Sequence, residues 1–382
     1  MKFFETIILG GGASGCMCAL QAKGNVAIID KQNRIAKKLL VTGNGRCNLT
    51  NLNAEAKFYN DEIVENYLKR FDVDRTLAFF DSIGLVMRHE QDKVYPLSNS
   101  AKSVVDVINN ALKAKEIKTF TNCEILDIKI ENSKFVLEGQ TEQFSCNKLV
   151  IASGGKSVEN FLTNYNIPHS TFCPSLCAIK TTNTHSLNNV KLHDVKVCAV
   201  TSDGKTKLDR GEVLFKESGL SGIVIFNLSS LFAREKNFAG KISIDLLPEL
   251  NHEEIVKLLN KRRALKLEIP SFFDGVFVKE IGYEILNRCK LDENRTSDKL
   301  SDKEIEKFAS VIKNLDFDVK GYYENNQVYS GGVRLEALSD NLECKNIKNL
   351  YFCGEICDID GECGGYNLQW AWTSGAIVGK AL

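Results

Sequence analysis

The sequence predicts an α/β fold. A nucleotide-binding domain built from strand–helix–strand units is interrupted by an inserted β-rich domain and a small helical subdomain. Three observations predict it. An apolar stretch, Phe3 to Leu9, runs into Gly10-Gly11-Gly12-Ala13-Ser14-Gly15 and then into small apolar residues. A second glycine pair, Gly364-Gly365, precedes a nearly uncharged final segment. Between the two, after Pro174, the texture turns first β-rich and then charged and helical.

Taken in order, Phe3 to Leu9 reads as a buried strand, Cys16 to Lys23 as a helix, and Asn25 to Asp30 as a second strand. Leu85 to Met87 and Lys93 to Leu97 are strand-like. Ile117 to Gly139 reads as antiparallel strands, and Lys148 to Ile151 as a short buried strand ending in Ala152-Ser153-Gly154-Gly155. Residues 178–247 are β-rich, with turn signals such as Ser202-Asp203-Gly204, and residues 251–315 carry Lys, Glu and Leu at helical spacing. Asn349 to Cys353 reads as a strand, and a helix starts near Leu368. The predicted organisation is a discontinuous nucleotide-binding domain (1–175 and 328–382), a β-rich insertion (176–250) and a helical subdomain (251–327).

Composition bounds the function. The chain has 382 residues, with 49 Lys and Arg balanced by 49 Asp and Glu, so no global field steers nucleic acid or an anionic membrane toward it. No apolar stretch is long enough to span a bilayer, and the N-terminal residues lack the marks of a signal peptide. The 13 cysteines form no disulfide framework or Cys-x-x-Cys pair. These features point to a cytoplasmic protein with no membrane association, and they argue against a nucleic-acid partner while leaving local basic patches open. The basic run Lys257 to Lys266 reads as a solvated helix face.

Three motifs carry chemistry. In Gly10-x-Gly12-x-x-Gly15 the first glycine permits a tight turn, the second lets main chain approach a pyrophosphate, and the third lets helix and strand pack closely. Ala13 and Ser14 complete the turn. Asp30 follows at the end of the next strand, at the spacing of a ribose-binding carboxylate. Such an acid argues against a 2′-phosphate and suits the ADP half of either NAD or FAD. The second motif is Gly43-Asn44-Gly45-Arg46-Cys47-Asn48. Its glycines suit a nest of N–H groups, with Arg46 adding a fixed charge. A purely structural turn, with Arg46 in a salt bridge, remains open. The third is Cys353-Gly354-Glu355 followed by Gly364-Gly365-Tyr366-Asn367 at the start of a buried helix. That helix start is either an anion site or a simple glycine turn.

LGGGASG, KKLLVTGNGRCNLTN and GEICDIDGECGGYNLQWAWTSG together resemble the BaiN/YhiN-type FAD-dependent oxidoreductases, also described as NAD(P)/FAD-dependent or aminoacetone oxidase family proteins. Weaker matches are Lys93 to Ser98, Gly211 to Leu228 and Ser330 to Val333. The resemblance covers nearly the whole chain. It implies a Rossmann-like flavoprotein fold with two dinucleotide-binding domains, and FAD as cofactor. It places Gly10, Gly12, Ala13, Ser14 and Gly15 at the pyrophosphate, Asp30 and Lys31 toward the adenosine ribose, and the strand near Ile125 at the adenine. Lys38, Thr42 and Gly43, Asn44, Gly45, Arg46, Cys47 and Asn48 fall toward the flavin and ribityl end. Ser153 and Gly154 match an Ala-Thr-Gly-Gly-type turn. Gly354 and Glu355 stand by the ribityl chain, with Gly365, Tyr366, Asn367 and Leu368 at the pyrimidine. Family members carry a longer glycine-rich segment where this chain has only Lys156 to Cys173, which implies a wider or differently lidded site.

The resemblance implies a flavin that accepts a hydride from an unidentified small-molecule substrate or from NAD(P)H docking transiently. A flavin-dependent amine or aminoketone oxidase using O2, and an RNA-associated flavoprotein with structural FAD, are the alternatives. Cys353, Cys357 and Cys363 cluster near the expected flavin. They read as small buried side chains or, for Cys357 or Cys363, as half of a redox pair. The scattered histidines and irregular cysteines predict no metal site. Arg88 and His89 precede the Lys93 to Tyr95 strand as surface positions or as substrate-facing ones.

Overall fold

The computed structural model describes residues 1–235, 237–292 and 294–382. The chain divides into two compact units: Met1–Cys173 with Val328–Leu382, and Pro174–Gln327.

The first unit is mixed α/β around a seven-stranded sheet. Lys2–Leu9 lies at its centre, parallel to Val26–Ile29 on one side and to Gln143–Ile151 on the other. Val26–Ile29 and the ends Ile7 to Leu9 and Leu149 to Ile151 are buried apolar runs, as a sheet covered on both faces requires. Lys118–Phe120 extends the sheet beyond Val26–Ile29. The far edge of Gln143–Ile151 is shared. Its first half pairs with the antiparallel hairpin Ile125–Glu131/Lys134–Gly139, and its second half takes Leu350–Phe352 in parallel. Lys2–Leu9, Gln143–Ile151 and Leu350–Phe352 run the same way. The turns that follow them, beginning at Gly10, Ala152 and Cys353, therefore open at one end of the sheet, where ligands of such folds sit.

The helix Ala13–Gln21 packs against the C-terminal helix Tyr366–Ala381 through small residues. A Cβ on Gly375 would lie 2.4 Å from the Ser14 carbonyl oxygen, and one on Gly379 would lie 2.4 Å from that of Cys18. Any larger side chain at either position would separate the helices. Thr50–Asn51, Lys93–Pro96 and Met87–Glu90 form a small antiparallel sheet within the same unit.

The second unit is a closed barrel of Ile179–Thr181, Gly219–Ser221, Thr206–Lys216, Lys191–Thr201, Gly240–Asp245 and Leu315–Tyr322. Closure leaves no exposed sheet edge. Helices His252–Arg263, Lys279–Cys289 and Asp302–Lys313 share one apolar core with it, in which Val197 and Phe215 join Ile255 and Phe308. The textural boundary at 250/251 therefore does not divide this unit, because the closing strand Leu315–Tyr322 follows the helices in sequence. The β-rich stretch 178–247 also holds a helix, Ile223–Ala233, whose buried residues include Ile225, Leu228 and Phe232. An apolar run buried on most sides has no periodicity to tell helix from strand.

Candidate functional site

The glycine turn is built as its spacing requires. Gly10 has φ +111, and a Cβ there would sit 2.5 Å from the Ala152 carbonyl oxygen. A Cβ on Gly15 would lie 1.9 Å from the Gly10 carbonyl oxygen, which fixes glycine at the strand–helix contact. A Cβ on Gly12 would meet nothing within 4 Å. No protein atom demands glycine at position 12, so its small size keeps space open beside the turn. The helix Ala13–Gln21 begins without a side-chain cap or an acid in its first turn, which leaves donors and a partial positive charge for an anion.

Asp30 braces this turn. Its Oδ2 accepts from Gly11 N at 2.7 Å, and its Oδ1 accepts from Gln32 N at 2.7 Å. Each carboxylate oxygen keeps further acceptor capacity for a ribose hydroxyl. The main chain between Asp30 and Gln32 bonds to Phe120, Asn122 and Cys123, which brings the segment leading into Ile125 beside it. Gly11 was absent from the sequence-predicted set. A Cβ there would meet Ile35 Cδ1 at 2.6 Å and Asp30 Oδ2 at 3.1 Å, so all four glycines of the turn have separate duties. Lys31 is exposed at the surface after Asp30.

The Gly43–Asn48 segment is a run of left-handed backbone. Gly43, Asn44, Gly45 and Cys47 have φ +54, +55, +80 and +59. Gly43 is further constrained, since a Cβ there would lie 2.8 Å from Asn48 N. Thr42 pins the turn: its hydroxyl donates to the Leu39 carbonyl at 2.7 Å, and its carbonyl accepts from Cys47 N at 3.0 Å. Asn48 is 9% exposed, and its Oδ1 is buried without a partner. An orphaned buried acceptor in a strained turn suits a ligand that donates to it. Arg46 does form an ion pair, its Nη2 lying 2.5 Å from Glu90 Oε1. Its guanidinium also covers the Tyr95 ring at 4.0 Å.

The third glycine cluster meets the first directly and the second through its flanks, Lys38 and Thr50. A Cβ on Gly354 would sit 2.3 Å from Ser14 Oγ, and Gly354 N donates to Ser374 Oγ at 2.9 Å. Glu355 Oε1 accepts from Tyr329 N at 3.0 Å, while its Oε2 stands 3.8 Å from Lys38 Nζ. Burial pushes the Glu355 carboxyl above the ordinary carboxylate range, and Lys38 opposes that shift. Gly154 lies against Glu355, and Ser153 lies against Gly10. Gly365, with φ +102, abuts Thr50, where a Cβ would come within 2.7 Å of backbone. The helix it opens again lacks a side-chain cap or an early acid.

Tyr366 and Asn367 contribute main chain to that helix start and use their side chains elsewhere. The Tyr366 ring stacks on Phe58, with centroids 4.5 Å apart. Asn367 clasps Gly361, accepting from its N–H at 2.9 Å and donating to its carbonyl at 2.7 Å. Leu368 packs against the core.

A buried polar network fixes this helix against the Asn48–Asn51 segment, and the sequence did not reveal it. Gln369 is fully buried, accepts from Thr50 Oγ1 at 2.6 Å, and donates to Thr76 Oγ1 at 2.9 Å and Thr373 Oγ1 at 3.0 Å. Trp372 Nε1 donates to the Leu49 carbonyl at 2.9 Å. Gln369 among the apolar Leu368, Trp370 and Trp372 was the available signal. Gln369→Leu should lower stability by about 3 kcal/mol, because it strands buried threonine hydroxyls. The urea midpoint measures this.

Cys47, Cys353 and Cys357 are buried. Burial pushes the Cys47 thiol up to about 11 and raises Cys357 well above its usual range. Protonated, buried thiols are poor nucleophiles, which favours the packing role. Arg262 and Arg263 in the basic helix are engaged at home. Arg262 donates to the Phe272 and Asp274 carbonyls, and Arg263 pairs with Asp302. Among the described residues no cluster could hold a metal ion, and no helix is long and apolar enough to cross a membrane.

The three glycine segments thus converge from distant parts of one unit. Two uncapped helix starts, a brace on the first turn, space beside Gly12 and an orphaned acceptor at Asn48 fit an extended dinucleotide. Relatives agree with this fold. A 3-dehydro-bile acid delta(4,6)-reductase of Clostridium scindens is 31% identical over 408 residues, covering 98% of both chains. A ribosomal RNA dihydrouridine synthase of Escherichia coli is 27% identical over 393 residues, covering 98% of this chain and 96% of its own. The 3-ketosteroid delta1-dehydrogenase structure from Sterolibacterium denitrificans shares the fold, with TM-score 0.51 at 10% identity over 100% of both chains. The family described as HI0933-like protein Rossmann domain matches residues 4–381. The chain belongs to this family of Rossmann-type flavoproteins and is an FAD-dependent oxidoreductase.

Proposed function

We propose that this unit holds FAD across the three glycine segments and serves a reductase that saturates a carbon–carbon double bond in a small substrate, with NAD(P)H as transient donor. The convergence of Gly10–Gly15, Gly43–Asn48 and Gly354–Gly365 at one end of the sheet carries the cofactor reading. The bond type and the small substrate rest on the relative named a 3-dehydro-bile acid delta(4,6)-reductase; the other relative is named for a dihydrouridine in ribosomal RNA.

Bound FAD would supply hydride transfer. The chain's own residues have separate tasks. The start of Ala13–Gln21 and the open side of Gly12 would take the pyrophosphate. Asp30 would accept from the ribose while bracing Gly11. The left-handed run Gly43–Gly45 would let backbone lie close against the ring and ribityl chain. The start of Tyr366–Ala381 would favour negative charge at the pyrimidine edge. Glu355 and Lys38, together with Ser153 and Gly154, would border the ribityl side. The short Lys156–Cys173 segment forms the helix Glu159–Asn164 and the first residues of the strand His169–Ser175. It places no glycine loop over the site.

The visible spectrum of purified protein, with chromatography of the cofactor released on denaturation, tests the cofactor. Flavin bands and released FAD are expected, and a colourless protein that takes up no FAD would sink the reading. Anaerobic bleaching by NADH or NADPH, then reoxidation by an enone such as 2-cyclohexenone, tests the direction. Reoxidation by O2 alone, with an amine as reductant, would favour the oxidase. Asp30→Ala should weaken FAD retention by about 1–3 kcal/mol, since a charge-assisted acceptor is lost. Fluorescence titration of apoprotein with FAD measures it.

A further inference from the structure

Arg46 and Arg88 stand unusually for surface arginines. Both reach the same carboxylate oxygen, Glu90 Oε1. Two guanidinium groups facing one carboxylate leave a net positive charge. Neither arginine is fully satisfied there. Arg46 Nε, Arg46 Nη2 and Arg88 Nε are buried without a hydrogen-bond partner. Arg46 Nη2 lies 2.5 Å from Glu90 Oε1 yet lacks hydrogen-bonding alignment. Buried donors that stay unpaired are costly, and structures rarely keep several together without a reason.

The surrounding parts are rigid. Tyr95 supports the Arg46 guanidinium plane from one face at 4.0 Å, and Tyr95 is itself buried. Arg88 and Glu90 lie on Met87–Glu90, whose ladder pairs Arg88 with Tyr95 and Glu90 with Lys93. Arg46 follows directly on the left-handed run at Gly43–Gly45. The side chains of Arg46, Arg88 and Glu90 are 34%, 35% and 39% exposed, so the group is open to solvent on one side. Glu90 has the exposure needed to swing out, whereas Arg46 is held by its ring contact. A carboxylate or phosphate oxyanion entering in place of Glu90 has the oxygens to align with both forks.

We propose that Arg46 and Arg88 form a binding site for an oxyanionic group of the substrate, a carboxylate or a phosphate, and that Glu90 occupies this site when substrate is absent. The position beside the proposed flavin loop rests on the cofactor reading above; the anion site itself does not. The substrate class that follows is an unsaturated compound bearing an anionic group, held by its charge while its double bond is presented for reduction.

Calorimetric titration of the purified holoprotein with sodium benzoate and with inorganic phosphate, at fixed ionic strength, tests it. Flavin content and thermal melting are recorded for each protein. Wild type should bind at least one probe, and which one binds assigns carboxylate or phosphate. Arg88→Gln should weaken binding roughly tenfold, about the loss of one charge-assisted hydrogen bond. Arg88→Lys should recover part of it. Glu90→Gln should tighten binding severalfold, because the internal competitor loses its charge. Affinities unchanged across these variants, or no binding by either wild type or Glu90→Gln, would overturn the proposal. A protein with full flavin content that fails these titrations loses only the oxyanion site. A flavin-free protein that passes them keeps the site and loses the cofactor reading.

Discussion

Gly15→Ala should cost the protein both its cofactor and a large part of its stability. The added methyl would be placed 1.9 Å from the Gly10 carbonyl oxygen and 3.3 Å from Ala152 Cβ. The first of these neighbours is backbone at the end of the central strand, with no freedom to turn aside. Relief requires the helix Ala13–Gln21 to move off the sheet. That helix is also pressed against Tyr366–Ala381 through Gly375 and Gly379, so the displacement spreads to the C-terminal helix. Overpacking of this kind costs about 3 kcal/mol or more at a site that cannot relax. Urea unfolding and the flavin-to-protein ratio check the two parts. A variant with wild-type midpoint and full flavin would show that the strand–helix contact is not needed.

Gly45→Val should separate the two effects. Gly45 has φ +80, and a Cβ there would meet only the Leu40 carbonyl oxygen, at 3.9 Å. The fold therefore has room for a side chain. The backbone conformation would still disfavour a β-branched residue by about 1–2 kcal/mol. The expected loss of stability is modest. The expected loss of FAD retention is large, because two methyl groups would occupy the side of the turn proposed to face the cofactor. Gly45→Ala, with less bulk at the same φ, should retain an intermediate amount of flavin. Full flavin in the valine variant would move the cofactor away from this turn.

Much of the first unit was legible because its signals are local. Ile7 to Leu9 and Val26 to Ile29 are short apolar runs next to a glycine turn and an acid, the pattern of buried parallel strands. Gly10 and Gly15 have distinct steric reasons that their spacing encodes, and Gly12 leaves open space beside the turn. The buried C-terminal helix was visible in its lack of charge. What escaped depended on partners distant in sequence. Gln369 has Thr373 one turn away in its own helix, but its role also needs Thr50 and Thr76, which lie 319 and 293 residues away. Gly375 and Gly379 read as ordinary small residues until the helix Ala13–Gln21 is laid across them. The helix Ile223–Ala233 lies within the stretch 178–247 that reads only as β-rich, because an aperiodic apolar run carries no helix signal. Tyr366 and Asn367 were assigned by motif, yet their side chains serve Phe58 and Gly361, since a motif fixes the main chain before it fixes side chains.

By itself the sequence determined the fold class, the turns with positive φ and the family of the chain. Those properties follow from steric rules and patterns acting over a few residues. Only the tertiary structure decided that three glycine segments share one end of a sheet, that Asp30 braces Gly11, and that Arg46 and Arg88 compete for Glu90. These depend on strand order. Gln143–Ile151 accepts Lys2–Leu9 on one edge and Leu350–Phe352 on the other, and no local pattern in either partner encodes that pairing.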